Sequence, residues 1–300
     1  MKKTLAMMTA AVMVAGALAG CGSSSSTPAA TTAAATEAAT TAAATEAATD
    51  AATTEAGDTA AAAEGTVKTP SGKFTVGFDQ EFPPMGFVGD DGQFTGFDLD
   101  LAKEVASRLG LEFVPQPINW DAKDMELDSG NIDCIWNGFT MQGREDAYTW
   151  VGPYMANNQV FVVTADSDIA SKADLAGKAV EVQKDSSGLA ALQGEAELSA
   201  SFGSMTEVAD YNTALMDLES GACDAVCMDS IVAGYQIKSS GKDMKILDDT
   251  LSAEEYGIGF KKGEDELAKA VYDTLMAMKD DGTVAKISND WFGSDVFTLK

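Results

Sequence analysis

Histidine is missing from all 300 residues. Its absence removes histidine-activated nucleophiles, histidine-ligated zinc and the commonest general base at neutral pH in one step. Basic residues are scarce as well: 20 lysines and arginines stand against 47 aspartates and glutamates, a net charge of -27. Such a surface repels phosphate backbones, which argues against nucleic acid as a partner. There are four cysteines. Cys134, Cys223 and Cys227 read as buried thiols, with a Cys223–Cys227 pair allowed in an oxidising compartment. Without histidine they make neither a metal site nor a disulfide framework. The apolar run Leu5 to Ala19 is shorter than the about 20 residues of a membrane span. What remains is length enough for about two domains of ~100 to 150 residues, each with a core.

The N-terminus carries Met1-Lys2-Lys3, then that short apolar run, then Leu18-Ala19-Gly20-Cys21. This resembles a bacterial lipoprotein signal with its lipobox, which implies that residues 1–20 are removed, that Cys21 carries a lipid such as palmitate, and that the protein works outside the cytoplasm, anchored to the cell membrane. ATTAAATEA follows at Ala30 and again at Ala39, with a degraded third copy at Ala48, and no large apolar residue occurs between Gly22 and Thr66. Such a stretch cannot bury enough surface to offset its chain entropy. It is expected to be a tether over residues 22–66 with a reach of roughly 35 to 40 Å.

The folded part is expected from about Gly72. Phe74, Val76 and Phe78 alternate with Thr75 and Gly77 as in a half-buried strand, and Asp79 stands where that strand ends. From Phe97 the apolar residues Phe97, Leu101, Val105 and Leu109 recur every four positions up to Gly110, an amphipathic helix with its stop. Further on, MELDSGNIDCI at Met125 has a counterpart, MDLESGACDAV, ninety-one positions later at Met216. Each copy is a helix ending at glycine and feeding a strand through an aspartate, so the chain reads as internally duplicated. Ligands of open α/β sheets collect beyond the carboxyl ends of strands, here Asn137 to Thr140 and Met228 to Ser230.

Gly96-Phe97-Asp98-Leu99-Asp100-Leu101 with Val105-Ala106 and Leu109, together with Phe82-Pro83-Pro84, Asp224-Ala225-Val226, Asp229, Tyr256-Gly257-Ile258 and Asp281-Gly282-Thr283 leading to Trp291-Phe292-Gly293, stands in one characteristic order. In these motifs the stretch from Gly72 to Gly293 resembles the extracellular solute-binding proteins, family 3, that serve polar amino-acid ABC transporters. The resemblance implies an α/β, periplasmic-binding-protein-like fold: two α/β lobes joined by two hinge strands, crossing near Gln159 to Thr164 and Tyr256 to Phe260. Lobe 1 would be residues 70–158 plus 257–300, and lobe 2 residues 159–256, with a strand over Lys178 to Val182 and a helix from Ser186.

A free amino acid presents a carboxylate and an ammonium, each costly to bury unless paired. Arg144 suits the carboxylate because its planar fork binds bidentately, and Asp229 suits the ammonium. The resemblance adds a backbone carbonyl from Gly138, the hydroxyl of Thr140, and Ser186 and Ser187 at a helix start that favours anions. Phe82 and Trp120 match the walls of the side-chain pocket, and Trp136 reads as core. Asp79 stands where similar receptors for basic or amide amino acids place a carboxylate toward the side-chain pocket, which implies a ligand with a cationic or amide side chain, since a buried carboxylate repels a second one. Two departures stand out. Three residues separate Thr140 from Arg144 where the family usually has four, which changes the aim of Arg144, and Asp185 replaces a usual glycine. An alternative reading of Asp229 is a helix N-cap, and of Asp79 a turn cap.

The function implied is an extracytoplasmic lipoprotein that captures a free polar amino acid and delivers it to an ABC permease. A monomer without cofactor, metal or catalytic residue is expected. Two other functions fit the same scaffold. A dehydratase-like enzyme would need Asp79 as its acid, and a ligand-sensing module would need an output domain that a chain ending at Lys300 is expected to lack.

Overall fold

The computed structural model describes Thr69 and residues 71–300. Cys21 and the tether expected over residues 22–66 lie outside them. The first strand, β1 (Lys73–Phe78), buries Phe74, Val76 and Phe78 completely, as its alternation requires. Each such side chain contributes about 1.5–3 kcal/mol on leaving water. Short strands β2 (Glu81–Phe82), β3 (Gly86–Val88) and β4 (Phe94–Thr95) form a small separate sheet. Helix α1 (Phe97–Leu109) then places Phe97, Leu101 and Val105 in the core and ends at Gly110 in the left-handed region. Strand β5 (Glu112–Pro117), helix α2 (Lys123–Ser129) and strand β6 (Cys134–Thr140) complete a first βαβ layer.

The long strand β7 (Thr149–Thr164) leads into a second layer of the same kind: β8 (Ala179–Gln183), α3 (Ser187–Gly194), α4 (Ala196–Ser201), β9 (Ser204–Val208), α5 (Tyr211–Ser220), β10 (Ala225–Asp229) and α6 (Ser230–Ser240). A second long strand, β11 (Met244–Phe260), returns to the first layer, which α7 (Asp265–Asp280) and α8 (Thr283–Phe292) cover.

All long strands join one sheet in the order β5-β1-β6-β11-β7-β10-β8-β9. Its two ends have the same plan. β5, β1 and β6 run parallel and meet antiparallel β11, while β9, β8 and β10 run parallel and meet antiparallel β7. Tyr256–Phe260 of β11 pair with β6, whereas Gln159–Val162 of β7 pair with β10. Both strands thus pass from one α/β lobe to the other, antiparallel to each other throughout. The repeated segments occupy equivalent places, α2 before β6 and α5 before β10, and both helices end on a left-handed glycine, Gly130 and Gly221. Cys134, Cys223 and Cys227 are buried free thiols, so Cys223 and Cys227 do not pair, and Trp136 is core.

Candidate functional site

Two parallel strand pairs, one in each lobe and opposite in direction, finish at one place. β1 ends beside Asp79, β6 on Thr140, β8 on Gln183 and β10 on Asp229. The carboxyl ends of both half-sheets therefore face each other, and the candidate residues sit between them.

Asp229 is only 3% exposed. Its backbone occupies the N-cap position of α6, but its side chain makes no cap hydrogen bond. Instead it accepts from Asn157 Nδ2 at 2.6 Å, Tyr256 Oη at 2.7 Å and Tyr211 Oη at 3.1 Å. Burial, and then the nearby Glu254 carboxylate, push its pKa to about 7 against the Tyr256 and Tyr211 hydrogen bonds, which favour the charged form. The capping task passes to Asn157, whose Oδ1 accepts from Ser230 Oγ and the Ile231 amide.

Gly138 lies at φ 56, and a Cβ there would stand 2.9 Å from the Phe82 ring and 3.1 Å from the Tyr256 ring. Glycine is thus required by both conformation and space. Its N–H donates to Asp98 Oδ2 at 2.7 Å, which also accepts from Tyr154 Oη at 2.7 Å. Phe82 is buried and its ring centroid is 5.8 Å from that of Tyr211 in the other lobe.

Arg144 is half-buried. Its guanidinium lies over the Phe139 ring, 5.1 Å from the centroid, and donates to the carbonyls of Thr140 and Asp185, each at 3.2 Å. It makes no ion pair among the described residues, which sets aside the other reading of its place in the sequence, a surface pair with the following Glu145 or Asp146. The lining residues Gln142, Gly143, Arg144, Asp185, Ser186, Ser187, Ser252 and Glu254 enclose a cavity of about 490 Å³. Ser186 caps α3 by accepting from the Leu189 amide at 3.0 Å. Ser187 Oγ is 3.2 Å from Thr140 Oγ1, across the lobes.

Asp79 is 6% exposed. One oxygen accepts from the Glu81 amide at 2.9 Å, a turn cap, and the other from Gln183 Nε2 of the second lobe at 2.7 Å. Burial pushes its pKa to about 6, with these bonds pulling the other way. Asp79, Trp120 and Asp121 line a second, larger cavity of about 820 Å³ with Lys184, Glu207 and Asp210. Trp120 stands edge-on to Phe139 at 5.5 Å, and the Lys123 ammonium sits 5.3 Å over its ring.

Sequence reasoning missed Glu254, Asn157 and Gln159. Each is buried on a hinge strand, and Glu254 Oε2 gathers Asn157 Nδ2, Gln159 Nε2, Thr140 Oγ1 and Ser187 Oγ. The signal was available as strand parity: Glu254 is two residues before buried Tyr256 and four before buried Ile258.

Two α/β lobes joined by two hinge strands, with complementary charges gathered where their strand ends face each other, define a solute-binding protein of the periplasmic-binding-protein fold. The family model confirms this class over most of the chain. The chain belongs to the bacterial extracellular solute-binding proteins, family 3, whose model matches residues 74–294. It is 32% identical to the L-cystine-binding protein TcyJ of Escherichia coli over 75% of this chain and 84% of that one. It is 29% identical to the histidine-binding periplasmic protein of Salmonella typhimurium over 75% and 89%. Among solved structures, an ABC uptake transporter substrate-binding protein from Streptococcus pneumoniae with bound histidine superposes with a TM-score of 0.74 at 34% identity, covering 76% of this chain and 96% of that one. An ancestral arginine-binding protein bound to arginine gives 0.69 at 36%, covering 74% and 99%.

Proposed function

We propose that this chain is an extracytoplasmic, lipid-anchored receptor that holds one free polar amino acid between residues 70–158 plus 257–300 and residues 159–256, and delivers it to an ABC permease. The observation that carries this reading is the pairing of Arg144, a guanidinium on carbonyls and a ring rather than on a carboxylate, with Asp229, a buried carboxylate held by amide and phenol donors alone. A zwitterion supplies the missing partner of each, and a desolvated charge is stable only when paired.

In this reading Arg144, Thr140 and Ser187 take the ligand carboxylate, assisted by the helix start at Ser186. Asp229 and the backbone at Gly138 take the ammonium. Phe82 and Trp120 flank the side chain, which Asp79 meets at its far end. A side-chain cation or amide fits Asp79, and the ligands named for its relatives, cystine, histidine and arginine, each carry a nitrogen or zwitterionic group at the side-chain end. The protein acts by binding alone, as a monomer tethered at Cys21.

Calorimetry of the full chain against the twenty amino acids plus cystine and ornithine tests the reading. Saturation at a hundred times the dissociation constant should also stabilise the fold by about 2.7 kcal/mol. A panel with no binder overturns the proposal.

A further inference from the structure

Glu254 lies on β11 at the floor of the cleft and is 6% exposed. Its Oε2 is 3.0 Å from Thr140 Oγ1, 3.0 Å from Gln159 Nε2, 3.1 Å from Asn157 Nδ2 and 3.4 Å from Ser187 Oγ. A carboxylate oxygen offers about two lone-pair directions, so four donors on one oxygen exceed what it needs to stay paired.

Those donors fall into two kinds. Asn157 and Gln159 belong to β7, which pairs with β11 along its length, so they accompany Glu254 whatever the lobes do. Thr140 and Ser187 belong to the ends of opposite lobes, β6 and α3. They are also the two hydroxyls assigned above to the ligand's carboxylate. Arg144 takes no part: its guanidinium is on the carbonyls of Thr140 and Asp185, in the cavity that Glu254 also lines. All the donors on Glu254 are thus neutral, and it shares the Asn157 amide with Asp229.

We infer that Glu254 is an affinity-setting residue that competes with the ligand's α-carboxylate for the hydroxyls of Thr140 and Ser187. An incoming carboxylate takes these two hydroxyls and the Arg144 fork, while Glu254 keeps Asn157 and Gln159 and so remains paired. The competition is with the carboxylate and not with the ammonium, because what Glu254 takes from Thr140 and Ser187 is their O–H hydrogens, which only another acceptor contests; an ammonium would meet the same hydroxyls at their oxygen lone pairs. The inference rests on the amino-acid-receptor reading.

The test is calorimetry on the full chain and on Glu254→Gln, with L-arginine, L-histidine and the α-carboxamide of each. The amide variant keeps the shape and removes the charge. Competition sharpened by like charge predicts that Glu254→Gln binds the amino acid about three- to tenfold more tightly, while the carboxamide, whose carbonyl oxygen accepts from the same hydroxyls without the charge, gains clearly less. The gain should also vanish when Thr140→Val removes the contested hydroxyl, a coupling that general loosening of the cleft would not produce. Weaker binding of the amino acid by a folded Glu254→Gln overturns the inference and makes Glu254 a second acceptor for the ammonium. An equal gain for acid and carboxamide overturns it too. A wild-type chain that binds no amino acid of the panel overturns the receptor reading, and this inference with it.

Discussion

Asp79 and Gln183 meet across the two lobes, the carboxylate accepting from the amide at 2.7 Å while its other oxygen caps the Glu81 turn at 2.9 Å. Asp79 therefore does both things that a residue at the end of β1 can do: it fixes its own loop, and it offers a buried anion to the facing lobe. Only the second role discriminates among ligands. Asp79→Asn keeps the shape and the turn cap but removes the charge, so it should weaken a ligand with a cationic side chain at least tenfold and change a neutral one little. Calorimetry with arginine against glutamine decides the matter. A preference of the wild type for glutamate or aspartate, or an unaltered ligand ranking in the variant, would leave Asp79 with its turn alone.

Removal of either main charge should abolish most affinity. Arg144→Ala leaves a ligand carboxylate in the cleft with hydroxyls but no cation. Asp229→Asn deletes the counter-charge of the ammonium and keeps one acceptor oxygen, for Tyr256 at the Oδ1 position or for Tyr211 at the Oδ2 position. Each should cost about 2 to 5 kcal/mol of binding, because a stranded charge in a desolvated site is not rehydrated. The melting temperature of the free protein should move little for Arg144→Ala, whose contacts are two backbone carbonyls and a ring. A loss below tenfold for Arg144→Ala would show that the loop with three residues after Thr140 has turned the guanidinium away from the ligand.

Asp133 and Asp224 show why so much of the fold was legible. They are equivalent residues of the two repeats, and each does the same work: Asp133 Oδ2 accepts from the Thr75 amide at 2.7 Å, and Asp224 Oδ2 from the Ala179 amide at 2.8 Å. Their own amides donate back to the carbonyls of the same two residues, each at 2.8 Å. A local motif of helix end, glycine, aspartate and strand thus docks β6 onto β1 and β10 onto β8, and local motifs survive in sequence. Glu254, Asn157 and Gln159 carry no such motif. Their role exists only because β7 and β11 lie side by side, a pairing of residues about a hundred positions apart that no short pattern encodes. Asp185 is intermediate: its place in a usual glycine position was visible, and the structure has it at φ 56, a conformation aspartate tolerates better than most residues. What that conformation serves, contact with Lys123, was not visible.

Asp98 gives a pH prediction. Burial pushes its pKa from 3.8 to about 7, with the Tyr154 hydroxyl and the Gly138 amide partly offsetting that cost. The folded chain then holds a proton on Asp98 that the unfolded chain has released between about pH 4 and 7. This residue's contribution to stability is fully present below about pH 4 and is lost as pH rises through 7, by on the order of a few kcal/mol. Asp98→Asn cannot titrate. Urea unfolding at pH 4.5 and 7.5 should therefore show a smaller loss of stability in the variant than in the wild type, the shifts of Asp79 and Asp229 being common to both. Parallel pH profiles would mean that Asp98 is ionised in the fold throughout.

Lys123 is 2% exposed, yet it lies in the first lobe and pairs with Asp185 of the second, whose side chain is 51% exposed. A reciprocal pair, Lys184 of the second lobe with Asp121 of the first, stands 2.6 Å apart beside it with both partners well exposed. The two pairs differ in worth. Exposed ion pairs contribute about 0–1 kcal/mol and are screened by salt, whereas a buried ammonium stripped of its carboxylate has only the Trp120 ring and the distant Asp124 to replace it. Asp185→Gly restores a residue suited to the left-handed backbone and still removes that carboxylate. Ligand dissociation should then accelerate by about five- to thirtyfold, corresponding to about 1–2 kcal/mol after allowing for the exposure of Asp185. Asp121→Asn should change it less than twofold. Stopped-flow dissociation at low and high salt measures both, with Asp121→Asn converging on the wild type as salt rises. If Asp185→Gly dissociates its ligand no faster than the wild type, the relief of backbone strain outweighs the lost pair, and Lys123 is neutralised in some other way when the lobes are together.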